Sequence, residues 1–286
     1  MGSNPIYDSV QDRYGELADR SSTSEQKKTE EKIAQAFGYE ATDLSSIPQA
    51  ANLGVSCGNP LALANLREGE TVIDLGSGGG IDVLLAAKKV GSKGKAIGVD
   101  MTKNMLELAR RNVEKAGASN ASFIEASITS IPLPNAIADC IISNCVVNLV
   151  PTVDKHLVFE EMFRLLERGG RLAISDILTR KELPKEVVNS LSFYVGCIAG
   201  ASQVHEYKKY LTEAGFKDIV IVDTHNDINV YKDLVQGQMD LGETSDQSAS
   251  AVCCGGAQGK NPCESDLLEC DFNEWAGSFQ IYAVKR

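Results

Sequence analysis

Ten consecutive residues, Thr71-Val72-Ile73-Asp74-Leu75-Gly76-Ser77-Gly78-Gly79-Gly80, constrain the fold more than any other part of the chain. A β-branched, apolar run passes straight into a glycine-rich turn. Apolar residues then recur at helical spacing, with Val83, Leu84, Ala86 and Ala87 expected to face inward. Strand, glycine turn and helix open a nucleotide-binding unit in a doubly wound α/β sheet. Glycine is required because a Cβ would keep a ligand off the backbone. A second strand, 95–100, ends in Asp100, 24 residues beyond Gly76. An acid at that place accepts hydrogen bonds from ribose hydroxyls. The competing reading is a helix N-cap ahead of Met105, Leu106 and Ala109.

Further strands are expected at 121–125, 139–146, 171–176, 218–223 and 279–284, with helices at 6–19, 61–66 and 157–166. Residues 183–215 read as mainly helical. Strands alternating with helices predict a mostly parallel sheet. The nearly continuous apolar run before Ser143-Asn144-Cys145 predicts a strand buried on both faces. Residues 20–31, rich in Ser, Thr, Glu and Lys, read as a mobile segment. A short helix is expected at 32–37, closed by Gly38, and a loop at 42–48. Three regions are expected: an N-terminal helical segment and linker (1–55), a cofactor-binding domain (56–180) and a C-terminal region (181–286).

The 286 residues suffice for a full core. A net charge of −11 argues against nucleic acid or an anionic membrane as main partner. With no secretory pattern at the N-terminus and no apolar run of about 18 residues, a cytoplasmic protein is expected. Eight cysteines are many for such a chain: Cys57, Cys140, Cys145, Cys197, Cys253, Cys254, Cys263 and Cys270. No CxxC pair occurs among them. In this setting reactive or metal-binding thiols are expected rather than a disulfide scaffold. Cys140, mid-strand, reads as an inert buried thiol. His156, His205 and His225 read as surface residues.

The segment from Asp74 to Gly80 resembles the cofactor motif of class I S-adenosylmethionine-dependent methyltransferases. Its glycines follow GxGxG rather than the GxGxxG of dinucleotide folds, and an acid stands two residues before the first. Three cysteine segments resemble the arsenite methyltransferases more specifically: Leu53-Gly54-Val55-Ser56-Cys57-Gly58-Asn59-Pro60, Ile142-Ser143-Asn144-Cys145-Val146-Val147-Asn148-Leu149 and Gly196-Cys197-Ile198-Ala199-Gly200-Ala201. Tyr14-Gly15, Gly98-Val99-Asp100-Met101-Thr102 and the final Phe279-Gln280-Ile281-Tyr282-Ala283-Val284 are also similar.

The resemblance implies a Rossmann-like class I methyltransferase sheet with an antiparallel last strand and a smaller C-terminal arsenic-binding region. It implies methyl transfer from S-adenosylmethionine to thiolate-bound As(III), with Cys145 and Cys197 as ligands and Cys57 as a third or exchanging thiol. Arsenite and methylated arsenicals are the implied substrates, with glutathione or thioredoxin as thiol reductant. By position, Asp74 orients the glycine turn and Gly76, Ser77, Gly78 and Gly80 line the methionine and ribose side. Asp100 takes the ribose, Met101 packs on adenine, Ser127 and Ile128 sit at adenine, and Asn144 offers a backbone carbonyl. The family's additional N-terminal cysteine is absent here; Ser21, Ser22 and Ser24 are the nearest small residues.

Trivalent arsenic is soft and prefers thiolates. Bound by three sulfurs it keeps a lone pair and has no proton to lose, so the attack needs no general base. A loop thiol pair, Cys253 and Cys254, is read as an arsenic relay, with Cys263 and Cys270 as weaker candidates. The competing readings are a methyltransferase for a small organic acceptor and a non-catalytic metalloid-binding protein.

Overall fold

The computed structural model describes residues 5–183, 198, 200–231 and 271–286. Among these residues seven strands form one sheet: β1 (Thr71–Leu75), β2 (Lys95–Asp100), β3 (Ala121–Glu125), β4 (Ala138–Asn144), β5 (Leu166–Thr179), β6 (Lys217–Asp223) and β7 (Ala276–Val284). Their order is β3-β2-β1-β4-β5-β7-β6. The first five run parallel, and β7 is antiparallel to both β5 and β6. This is the class I methyltransferase arrangement. Strand order reverses between β1 and β4, where Leu75 pairs with Ser143. Ligands of open α/β sheets bind in the crevice at such a switch point.

The inner strands are buried on both faces, with side chains alternating between two core layers. Val72, Cys140 and Ala173 pack with Val83, Leu84, Ala86 and Ala87 of α5 (Ile81–Val90). Ile73, Ile141 and Leu172 pack on the other face. There they meet Phe159 and Met162 of α7 (Lys155–Leu165) and Tyr207 and Leu211 of α8 (Val204–Ala214).

Two N-terminal expectations are corrected. The polar stretch 20–31 is not a mobile linker. It enters helix α2 (Ser24–Ala36), which follows α1 (Pro5–Asp19). Thr23 starts α2 with a capping box: Gln26 N donates to Thr23 Oγ1 at 3.2 Å, and Thr23 N donates to Gln26 Oε1 at 2.8 Å. Ile33 and Ala34 bury the helix's apolar side. Within 42–48, read as loop, lies most of the short helix α3 (Ala41–Ser45), seated by buried Leu44. Helix α4 (Pro60–Ala64) then leads to β1, and α6 (Lys103–Ala116) links β2 to β3.

Strand β5 exceeds the expected 171–176 at both ends: it begins at Leu166, opposite Ala138, and its last residues pair with the start of β7. Among the described residues no helix is long and apolar enough to cross a membrane.

Candidate functional site

A cleft opens at the carboxyl ends of β1, β2 and β4, roofed by Tyr7, Val10 and Tyr14 of α1. Its floor is the glycine turn. Gly76 N and Ser77 N donate to the Val99 carbonyl at 2.7 and 3.0 Å, bending the chain back over β2. Gly76 has φ +70°, and a Cβ there would come within 2.3 Å of Val146. At Gly78, φ +49°, a Cβ would meet nothing within 4 Å, so bare backbone faces the cleft. Gly79 and Ile81 also line the cleft. Gly80, expected beside them, instead turns toward Phe123 and Ala109 and starts α5 with φ +90°.

Three carboxylates converge here. Asp100 Oδ2 accepts from Gly78 N at 2.9 Å and Oδ1 from Thr102 N at 2.8 Å. The acid therefore ties the glycine turn to the end of β2 while lining the cleft. Burial raises its pKa, opposed by those backbone donors. Asp74 is buried, and burial raises its pKa well above the carboxylate range, with Asp82 and Asp100 adding repulsion. Asp82 is pushed up to about 6 by burial, opposed by hydrogen bonds from Tyr39 and Asn144. Among the described residues no ion pair reaches Asp74, Asp82 or Asp100. Buried carboxylates without a counter-ion favour a cationic ligand. The Ser77 hydroxyl, buried and lacking a hydrogen-bond partner, adds an unsatisfied group. Met101, Ser127 and Ile128 also line the cleft.

Asp82 is not marked by the sequence, because an acid in a helix's first turn reads as a dipole partner. Nor does the sequence mark Tyr39. Its hydroxyl donates to Asp82, 2.7 Å from Oδ1 and 2.9 Å from Oδ2. Asn144 acts through its side chain, beyond the backbone carbonyl expected of it. Nδ2 donates to Tyr39 Oη and the Gly58 carbonyl, each at 2.8 Å, while Oδ1 accepts from Cys57 N at 3.0 Å.

Among the described residues, two thiols lie beside the cleft. Cys57, in the turn before α4, and Cys145, just after β4, meet Asp176 of β5, and their donor atoms all lie within 4.8 Å of one another. All three residues are buried. The Cys57 thiol has two acceptors in reach, Asn144 Oδ1 and the Ser175 carbonyl, each at 3.5 Å. Cys145 adopts φ +59°, a left-handed conformation unusual for a residue with a Cβ. Its amide donates to the Ser175 carbonyl at 2.8 Å, which holds it there. Cys145 also lines the cleft, so one residue belongs to both sites.

Asp176 Oδ1 accepts from Asn148 Nδ2 at 2.8 Å and Ile177 N at 3.0 Å, and Tyr207 Oη donates to Oδ2 at 3.3 Å. Burial pushes its pKa up to about 7, while the Lys155 ammonium pulls it down. Cys140 lies in the opposite core layer, its thiol pushed up to about 12 by burial, in keeping with an inert role. Cys197, Cys253, Cys254, Cys263 and Cys270 lie outside the described residues; Ile198 packs in the apolar cluster that contains Cys57 and Cys145. His156, His205 and His225 are exposed.

Residues 66–215, just over half of the chain, match the family model described as a methyltransferase domain. The chain belongs to the methyltransferase-domain family. This methyltransferase-domain chain is 43% identical over 216 residues to an arsenite methyltransferase of Halobacterium salinarum, covering 76% of the chain and 54% of that protein. To the human arsenite methyltransferase it is 38% identical over 154 residues, covering 51% of the chain and 40% of the human protein. It thus spans about half the length of the curated relatives it matches. Among solved structures it is similar to an arsenic(III) S-adenosylmethionine methyltransferase from Chlamydomonas reinhardtii. The TM-score is 0.55 at 26% identity, with 89% of this chain and 73% of that one covered. The methyltransferase-domain match contains Asp74, Asp82, Asp100, Asn144, Cys145 and Asp176. Cys57 lies ahead of it.

Proposed function

We propose that this chain methylates trivalent arsenic, with S-adenosylmethionine bound in the cleft and arsenic on the cysteine thiolates beside it. The observation that carries this reading is Cys145, which lines the cleft while its sulfur meets that of Cys57. The names of the relatives and of the similar structure support the same reaction.

When bound, S-adenosylmethionine supplies an electrophilic methyl group. The cleft suits its charge: Asp74, Asp82 and Asp100 are buried carboxylates facing a ligand that carries an ammonium and a sulfonium. Gly78 lets the ligand approach the backbone, Asp100 takes the ribose, and Met101, Ser127 and Ile128 flank the base. Apolar walls exclude water, which strengthens the electrostatic attraction.

Cys57 and Cys145 each replace a hydroxyl of arsenous acid, the thiol proton leaving with that hydroxyl as water. Cys197 takes the third position. Pyramidal arsenic then points its lone pair away from the sulfurs, and the left-handed turn at Cys145 fixes one sulfur at the cleft wall. Holding nucleophile and methyl in line is the main catalytic contribution. No base is required, and the three exposed histidines leave the cleft without one of the usual candidates. Methyl transfer leaves arsenic formally pentavalent; two of the bound sulfurs then leave as a disulfide, which returns two electrons to arsenic, and a small thiol or thioredoxin reduces that disulfide.

The test is to incubate the reduced protein with arsenite, glutathione and S-adenosylmethionine and separate the arsenic species. Methylated arsenic supports the reading. Cofactor consumption without methylated arsenic points to an organic acceptor, and neither product points to a metalloid-binding protein without catalysis.

A further inference from the structure

The same trio of donors has a chemistry that arsenic does not use. Trivalent arsenic is satisfied by sulfur alone, yet a carboxylate stands at the thiol pair. Asp176 is fully buried in β5 and oriented by Asn148, Tyr207 and the Ile177 amide. We propose that Cys57, Cys145 and Asp176 form a binding site for a thiophilic divalent cation, Zn2+ or Cd2+, which competes with arsenic for the two sulfurs.

Two sulfurs and one carboxylate oxygen are a donor set for a borderline-soft dication. A tetrahedral zinc with Zn–S bonds of about 2.3 Å sets its sulfurs roughly 3.8 Å apart. The three donor atoms already lie within 4.8 Å of one another, so small side-chain adjustments close the site. Charge agrees as well. Two thiolates and a carboxylate are offset by a dication together with Lys155, whose ammonium acts on Asp176 and is held by the Gly200 carbonyl and by Ser202 Oγ at 2.9 Å.

The surroundings are those of a prepared site. Each ligand residue is held by a neighbour, the arrangement that orients metal ligands: Asn144 at the Cys57 amide, Ser175 at the Cys145 amide, Asn148 and Tyr207 at the Asp176 carboxylate. Apolar residues from distant parts of the chain, including Val10, Ile177, Ile198 and Ile228, surround the two cysteines. The cleft reaches Cys145 and provides the access route and a fourth position for water. Binding releases the thiol protons to solvent, and no electron changes hands. The proposal rests on the donor set and holds whether or not arsenic is the methyl acceptor.

The test titrates Cd2+ into the reduced full chain. It follows the sulfur-to-cadmium absorption band and, by X-ray absorption, the atoms around the metal. The tightest cadmium equivalent is expected to show two sulfurs with oxygen completing the shell, and arsenite added first should suppress it. Cys57→Ser and Cys145→Ser should each remove that equivalent, and Asp176→Asn should weaken it at least tenfold. Cys140→Ser, in the opposite core layer, should leave it unchanged. An all-sulfur shell in the unmodified protein would overturn the proposal, and needs no variant to fold. So would wild-type cadmium binding by correctly folded Cys57→Ser or Asp176→Asn, judged by near-UV circular dichroism. In the unmodified chain, arsenic methylation without cadmium binding refutes the cation site alone, and cadmium binding without arsenic methylation refutes the methylation reading alone.

Discussion

The side-chain oxygen of Asn144 accepts from the Cys57 amide at 3.0 Å and lies 3.5 Å from the Cys57 sulfur. Through its nitrogen the same side chain reaches Tyr39 Oη at 2.8 Å and Asp82 Oδ2 at 3.4 Å. One amide thus connects a wall of the cofactor cleft to the thiol site. Replacing it with Asn144→Leu leaves buried donors and acceptors unmatched, a cost of about 1–3 kcal/mol each. The expected result is a fall in kcat of about tenfold or more with a smaller change in KM for S-adenosylmethionine. Steady-state kinetics varying each substrate separates the two; a change in that KM alone would place Asn144 with the cofactor only.

Asp82 gives the cofactor site a pH dependence. Burial raises its pKa to about 6, so it is neutral below that pH and anionic above it. Affinity for a cationic ligand should therefore rise as pH climbs through 6, by about tenfold between pH 5 and 7 if the neutral form contributes nothing. Stability of the ligand-free protein runs the other way. The folded state holds this proton more tightly than the unfolded chain, so the contribution is present at low pH and lost as pH rises from about 4 to 6. Calorimetric titration of S-adenosylmethionine across this range checks the first trend, and Asp82→Asn should flatten it.

Gly76 is the most restrictive position of the turn. Gly76→Ala adds a Cβ within 2.3 Å of Val146, at φ +70°. Both the clash and the backbone strain act on the cofactor floor. We expect a loss of roughly 2 kcal/mol or more in stability and cofactor binding below detection, measured by denaturant unfolding and by calorimetry.

The start of α2 offers a milder test. Thr23→Ala removes one half of the capping box and should cost about 1 kcal/mol. A thermal melt should show a lower midpoint. An unchanged midpoint would mean that this end of the helix does not contribute to stability.

Much of this arrangement is legible along the chain, for physical reasons. Val72, Ile73 and Leu75 announce a buried strand, and Gly76 and Gly78 sit where only glycine leaves the backbone bare. Cys145 follows an apolar strand, and a strand's carboxyl end in such a sheet is where ligands bind. Polar residues that act by tertiary contact stay hidden. Thr23 and Gln26 have the composition of a mobile linker until Ile33 and Ala34 find their core. Asp176 reads as the end of a strand, because nothing local indicates that Asn148, Tyr207 and Lys155 make a buried carboxylate tolerable. Tyr39 and Asp82 are 43 residues apart and meet only in the folded chain.

The central claim is that the Cys57 and Cys145 sulfurs present arsenic to the methyl group. It is tested most directly by a single turnover with methyl-labelled S-adenosylmethionine and saturating arsenite, comparing the unmodified chain with Cys57→Ser and Cys145→Ser. Label is expected on arsenic for the unmodified chain, with at least a hundredfold slower transfer in each variant and cofactor affinity little changed in Cys57→Ser. Label reaching arsenic at the unmodified rate in either variant would contradict it.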